Sequence, residues 1–310
     1  MADGLFDFHG DIVGSIKKYE HAELHLDLPR LWKERLFLEF SSQYGNYPQE
    51  DFWGLGPNSI ENRRTNFRQE HADFSGTVGF RPLRRLRVGA TGGLLQINTG
   101  PGKDKSFPSI EQLFTADEVP ALDQQPDYYR LGAFAQFDYR DNPLNPKSGG
   151  YYLLQGTHYG DRDFGAFSFR RYEIDVRQFL PGFLKGTTIA LRALTWLTDT
   201  HPGQQEPFSM QPTVGGSTDL RGFHQYRFRD RNRFVLNAEY RWETASFLDL
   251  VAFVDGGRVF SRPSSFGLRS MRGSLGGGAR IKFRGRVFIG LDFGYSSEGV
   301  RLWVRRSHMF

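Results

Sequence analysis

The chain contains no cysteine, which excludes a disulfide framework and thiolate metal ligation. It has no run of the roughly 18–20 uncharged apolar residues that a spanning helix requires. With 38% hydrophobic residues and a mean hydropathy of −0.52, it does not have the composition of a helical membrane protein. One-signed charge is lacking as well: 40 Lys and Arg face 35 Asp and Glu, for a net charge of +5. The arginines alternate with acids and do not form the basic stripe that a nucleic acid selects, so no nucleic-acid partner is expected. The opening "MADGLFDFHG" has neither the basic start nor the apolar stretch of a signal peptide.

What the chain does have is 29 Phe, 13 Tyr and 36 Gly among 310 residues. Low hydropathy with many aromatics suits a structure in which every second residue is apolar. That alternation recurs along the chain. Phe234, Leu236, Ala238, Tyr240 and Trp242 fall on one face, and Arg233, Val235, Asn237, Glu239 and Arg241 on the other. Tyr172, Ile174 and Val176 oppose Arg171, Glu173, Asp175 and Arg177. Val287, Ile289, Leu291, Phe293 and Tyr295 oppose Arg286 and Asp292. A half-buried soluble sheet also alternates. Here, however, no helical segment is available to cover the apolar faces, and the polar faces carry full charges of both signs. An apolar outer wall around a charged lumen is the pattern of a transmembrane β-barrel.

The alternation places about fourteen strands, near 5–15, 18–28, 33–43, 64–80, 84–97, 127–140, 149–160, 166–179, 187–198, 232–243, 248–260, 272–283, 286–296 and 299–309. The expected fold is all-β: one transmembrane antiparallel barrel over residues 1–310. Short connections ("LPRLW", "RPLRR", "LPGFLKG", "TASF", "FRGR") alternate with long ones at 44–63, 98–126 and 199–231. That asymmetry is the one expected of periplasmic turns and extracellular loops.

Three stretches stand out. "DYRDNPLNPKSGGYY", Asp138–Tyr152, combines two Asn-Pro pairs with Ser-Gly-Gly and reads as a rigid turn. Asp138, Arg140, Asp141, Asn142 and Pro143 are its core. It lacks the regularly spaced oxygens and closing Glu of a calcium loop, so no metal is expected there. "FVDGGRVF" puts Asp255 on the face shared by Val251 and Phe253, hence in the lumen, where a carboxylate needs a partner. "GGSTDLRGFHQYRFRDRNRF", Gly215–Phe234, lies in a long loop that also carries Phe208, Met210, Leu220, Phe223, Tyr226 and Phe228. A freely solvated loop needs no such anchors. The loop is therefore expected to fold inward, with Arg221 making a two-pronged bond to Asp255 or Glu239. Arg227 to Arg233 are expected to form a polar ramp into the next strand.

Enzyme chemistry finds little support. None of the eight histidines sits beside a nucleophile elbow, and no G-x-S-x-G occurs. "GSLGGGAR" is glycine-rich but lies on a strand with no following helix, so it is not a phosphate loop. No cofactor is expected.

"GGSTDLRGF", "FVDGGRVF", "DYRDNPLNPKSGGYY", "EDFWGLGPNS" at 50–59 and the final Phe310 together resemble the barrel of the bacterial surface-antigen superfamily. This is the family of outer-membrane protein assembly factors, translocation-and-assembly modules and two-partner secretion transporters. The resemblance covers essentially the whole chain. It implies a Gram-negative outer membrane and insertion or translocation of polypeptides or lipids, without covalent chemistry. The implied partners are outer-membrane lipids, unfolded outer-membrane or secreted clients, and periplasmic accessory proteins. The resemblance also implies that Arg221, with Gly222 and Phe223, forms a loop tip turned into the lumen toward Asp255, with Glu239 as a second acid. Phe310 is then an outer-membrane targeting signal, with Arg305, Arg306 and His308 at the membrane interface, where long cationic side chains reach headgroups.

Five strands follow the loop, as in the family, but nine precede it where the family has eleven of its sixteen. The periplasmic POTRA domains of the family are not recognised in the chain. An open sheet edge in lipid is unfavourable, so either a smaller closed barrel or a truncated sequence is expected. A passive porin-like or structural barrel, whose charged lumen filters solutes, is the alternative reading.

Overall fold

A computed structural model describes residues 6–283 and 286–310. Leu5, where the first expected strand begins, and Arg284 and Gly285 of the "FRGR" turn lie outside the described residues. The strands are β1 (Asp7–Gly14), β2 (Glu20–Leu31), β3 (Leu36–Phe52), β4 (Thr65–Leu83), β5 (Leu86–Pro101), β6 (Tyr128–Asp138), β7 (Gly149–Asp161), β8 (Phe169–Pro181), β9 (Thr187–Asp199), β10 (Thr213–Val214), β11 (Phe228–Arg229), β12 (Asn232–Ala245), β13 (Leu248–Phe260), β14 (Arg272–Phe283), β15 (Arg286–Ser296) and β16 (Gly299–Arg305). Fourteen of them make one sheet in the order β1 through β9, then β12 through β16. Each strand runs antiparallel to its neighbours. β10 and β11 form a small separate ribbon inside the long 200–231 connection.

The alternation in the sequence becomes an inside and an outside. On β12, Val235, Asn237, Glu239 and Arg241 are buried, while Leu236 and Trp242 keep 39% and 46% of their surface exposed. On β13, Val251, Phe253 and Asp255 are buried and Leu250 and Val254 exposed. The exposed apolar face is the hydrocarbon-facing wall of a barrel, and the buried face lines its lumen. The sheet is curled enough that distant strands meet: the β6–β7 turn reaches β12 through the Lys147–Glu243 pair, and Phe179 on β8 packs against Phe310.

Several expected strand ends move: β5, for one, runs to Pro101 where 97 was expected. β3 continues to Phe52, well past residue 43, because a register shift between Tyr47 and Glu50 absorbs Pro48 and pairing with β4 resumes beyond it. β16 stops at Arg305, short of 309, and the chain then bends inward. The alternation on β15 is also interrupted: a shift opposite Ile281 and Lys282 leaves Phe288 between paired residues, 70% exposed.

Candidate functional site: a loop docked in the lumen

The 215–231 segment enters the lumen because its own sequence folds it into a compact tip. Gly215 and Gly216 take φ of +126° and +107°, a left-handed region that L side chains seldom adopt. Asp219 Oδ1 accepts the Gly215 amide at 2.9 Å, and the Gly216 amide bonds back to the Leu220 carbonyl at 3.2 Å. Leu220, Phe223, Phe228 and Val214 then pack with Leu194, Val235 and Val259 of the wall in one apolar cluster. Burying these side chains anchors the tip, at roughly 1.5–3 kcal/mol for each large one.

Arg221 is fully buried. Its Nε and one terminal nitrogen form a fork on Asp255 at 2.9 and 2.7 Å, and the other terminal nitrogen donates to Glu239 at 2.6 Å. Asp292 on β15 lies 3.5 Å from that nitrogen. The guanidinium also sits over the Phe253 ring, 3.3 Å from its centroid, a favourable arrangement for a desolvated cation. The Arg221 amide donates to Asp255 at 3.2 Å, and its carbonyl accepts Trp303 Nε1 at 2.7 Å. Burial works against the charge, but the hydrogen bonds to Asp255 and the charges of Glu239, Asp255 and Asp292 outweigh it and raise the Arg221 pKa above the ordinary arginine value.

The three carboxylates are shared unequally. Glu239 also holds Arg241 at 2.8 Å, and Asp292 also holds Arg280 at 2.7 Å and Arg305 at 3.4 Å. Among the described residues Asp255 has only neutral donors besides Arg221: Asn237 at 2.9 Å and Ser274 at 3.3 Å. Glycines make room for this network. A Cβ on Gly222 would lie 2.6 Å from the Cβ atoms of both Ser274 and Ser296, and one on Gly294 would lie 2.4 Å from the Arg221 carbonyl oxygen. The tip backbone therefore lies directly against β15. Gly276 and Gly278 likewise leave space for the Phe253 ring and the Asp292 carboxylate.

The structure brings Arg221, Gly222, Phe223, Asp255 and Glu239 together. Asp138, Arg140, Asp141, Asn142 and Pro143 form a separate turn at the other end of β6 and β7. Asp138 binds Arg140 in a fork at 3.0 and 2.7 Å, Asp141 Oδ1 accepts the amides of Asn142, Lys147 and Ser148, and the Pro143 carbonyl accepts Arg140 at 3.3 Å.

The C-terminal residues depart from expectation. Arg305 and His308 turn into the lumen, not out to the interface: Arg305 reaches Asp292 and the Ser217 carbonyl, and His308 is buried. Arg306 stays exposed. The Phe310 oxygen accepts Arg241 at 3.0 Å, and its ring lies in a small cluster with Phe179, Ala190 and Met309. The physical reason is the buried Asp292 carboxylate, which draws Arg305 inward, together with the apolar platform that Phe179 offers to Phe310.

The polar ramp also takes another form. Arg227 and Arg229 are buried and tie loops together. Arg227 Nε donates to both carboxylate oxygens of Glu298 at 2.9 and 3.0 Å, and one terminal nitrogen donates to Ser59 Oγ at 2.8 Å; Arg229 donates to the Phe208 carbonyl at 2.7 Å. The Gly56 amide bonds the Arg229 carbonyl at 2.7 Å, so "EDFWGLGPNS" crosses the mouth onto the docked loop. His224 stands between the Trp53 ring and Arg301, whose guanidinium donates to its Nε2 at 2.7 Å. Burial, then Arg301, Arg64 and Arg227, push its pKa down to about 4.

Sequence reasoning missed Asp292 and Gly294 as parts of the site. The available signal was their place on the lumenal face of 286–296, with Asp292 a lone acid in the middle of it. It also missed a second core, in which Ile110, Phe114 and Val119 from the 102–127 loop pack with Phe52, Phe67 and Phe208. Among the described residues no grouping of three or more His, Asp or Glu side chains is arranged to hold a metal ion.

The family model for the Omp85 superfamily domain matches residues 16–291. The chain belongs to the Omp85 superfamily. The Omp85 assignment agrees with the solved structures it resembles. BamA from Haemophilus ducreyi, crystallised without POTRA domains 1–3, superposes with a TM-score of 0.67 at 12% identity, over 96% of this chain and 68% of that one. CdiB from Acinetobacter baumannii gives 0.54 at 14% identity over 96% of this chain, and CdiB from Escherichia coli 0.57 at 15% over 98%. The chain spans 55% and 54% of those two proteins. No curated protein matches it at a significant level. This Omp85 chain is thus an outer-membrane β-barrel of the Gram-negative type.

Proposed function

We propose that this barrel inserts or translocates polypeptides at the outer membrane, without covalent chemistry, while the Arg221 tip braces the lumen wall. One observation supports the reading above the others: a single buried arginine joins carboxylates from three strands, Glu239 on β12, Asp255 on β13 and Asp292 on β15. A wall that only enclosed water would need no such strut. A wall whose strands must part and rejoin needs one that holds a resting shape. The clients are unfolded outer-membrane or secreted chains, the solvent is the surrounding lipid, and periplasmic accessory proteins deliver the clients. Phe310 serves as the targeting signal of this chain.

The test uses the full chain reconstituted in liposomes with an unfolded β-barrel client. Faster client folding than in empty liposomes is expected, and Arg221→Ala should slow it. A large steady ohmic current together with no effect on client folding would instead establish a passive pore.

A further inference from the structure

At the short-turn end of the sheet, the β2–β3 and β4–β5 turns enclose a cleft of about 430 Å³. Arg30, Arg35, Arg81 and Arg84 line it, against one acid, Glu34. Arg81 is the fixed member: it donates to the Pro29 carbonyl at 2.5 Å and lies over the buried Phe37 ring at 4.9 Å. Arg30, Arg35 and Arg84 are exposed. Four guanidinium groups around one cleft repel one another, so the arrangement is stabilised when an anion enters. Planar guanidinium forks suit phosphate oxygens in particular.

The surroundings say which kind of phosphate. Leu83 lines the cleft and Trp32 stands in the β2–β3 turn, between Arg30 and Arg35 in the chain, with 63% and 66% of their surface exposed. They stand at the ends of strands whose outer faces carry the exposed Leu24, Phe40 and Val78. The cleft therefore sits where the hydrocarbon-facing wall meets water, the level at which tryptophan is enriched in membrane proteins. The turn that presents Trp32 is held in an unusual shape, with Trp32, Lys33 and Glu34 all left-handed at φ of 42°, 58° and 64°. Such non-glycine conformations persist only where the surroundings enforce them.

We propose that the Arg30–Arg35–Arg81–Arg84 cleft binds the phosphate of an anionic phospholipid headgroup in the leaflet that the short turns face, with Trp32 and Leu83 resting on its acyl region. The site does not depend on how the barrel treats its clients. Its effect is to fix a lipid against β2–β5 and to set the depth of that wall.

The test is native mass spectrometry of the full chain in detergent, titrated with phosphatidylglycerol or phosphatidylcholine. The Arg30→Gln/Arg35→Gln/Arg84→Gln variant spares Arg81 and its structural bonds. A control variant, Lys103→Gln/Lys105→Gln/Arg162→Gln, removes three exposed cations from the long-loop end. Thermal melting checks that both are folded. Phosphatidylglycerol should bind in preference to phosphatidylcholine, and the arginine triple variant should lose on the order of 100-fold in affinity, since each cation at an anionic surface contributes about fivefold. The control should keep wild-type affinity. Equal binding by the arginine triple variant, or an equal loss in the control, overturns the proposal. Displacement of phosphatidylglycerol by inorganic phosphate at the same concentration would mark a free-anion site. Preferential binding of polyglutamate would mark a surface for an acidic protein. Either result overturns the lipid assignment.

Discussion

Removing the Arg221 side chain should undock the loop tip, and the network sets how strongly. With Arg221→Ala, Glu239 keeps Arg241, and Asp292 keeps Arg280 and Arg305. Only Asp255 is stranded, left with Asn237 and Ser274. Breaking a buried ion pair by deleting one partner costs about 3–5 kcal/mol, because a charge is left uncompensated. One stranded carboxylate near a lumen that can admit water places this at about 3 kcal/mol. Loss of the contact with the Phe253 face adds about 1–2 kcal/mol. A total of about 4–5 kcal/mol shifts the docked-to-undocked ratio about a thousandfold. Asp255→Asn should cost less, because Arg221 keeps Glu239 and Asp292. In the double variant no carboxylate is stranded, so its loss should fall short of the summed single losses by about 2–3 kcal/mol. Hydrogen exchange of residues 216–230, with denaturant melting of the same four proteins, reads this directly. Strict additivity, or an Arg221→Ala loop exchanging as slowly as wild type, would refute the reasoning.

Three further outcomes follow from the same geometry. Gly294→Ala places a methyl group against the Arg221 carbonyl and should raise exchange across the tip, at a cost of about 1–3 kcal/mol, whereas Gly100→Ala, with open space around it, should not. Folding keeps His224 neutral with its pKa near 4. Its contribution is complete above the ordinary value of about 6.5 and is lost as pH falls from there toward 4; discounted for the half-exposed ring, the loss is about 1–2 kcal/mol, and His224→Gln should flatten loop exchange measured between pH 7 and 5. Arg227→Ala removes the Nε bonds to Glu298 and the bond to Ser59, and should speed proteolysis within residues 53–63 while leaving the 216–222 tip protected.

Much of the barrel was legible in the sequence because lipid enforces a period of two. β12 to β14 can be read from residues such as Leu236, Trp242, Leu250 and Val254, which must face hydrocarbon. The reading weakens where lipid no longer constrains the chain. β3 runs on past Tyr47 by pairing with β4, and it carries Pro48 at a bulge without penalty from the membrane. The 102–127 loop has no period at all, and its apolar residues find Phe208 only across the mouth. Within the site, Arg221 and Asp255 were legible because one stands between the apolar anchors Leu220 and Phe223 of its loop and the other shares a face with Val251 and Phe253. Asp292 looked like an ordinary lumenal acid, and Gly294 like one glycine among many. Their roles arise from the approach of the tip to β15, which local pattern does not encode. The inward turn of Arg305, His308 and Phe310 was hidden for the same reason, since it depends on carboxylates and rings contributed by β8, β12 and β15.

The most direct test of the account exchanges the two charges. Arg221→Asp and Asp255→Arg, made singly and together, are compared by the rate at which the reconstituted barrel folds an unfolded client and by exchange protection of residues 216–230. Each single variant should lose both, since each buries like charges together, and the double variant should recover a substantial part of both. Single variants that fold the client at the wild-type rate would contradict the claim that the docked arginine holds this barrel in its working shape.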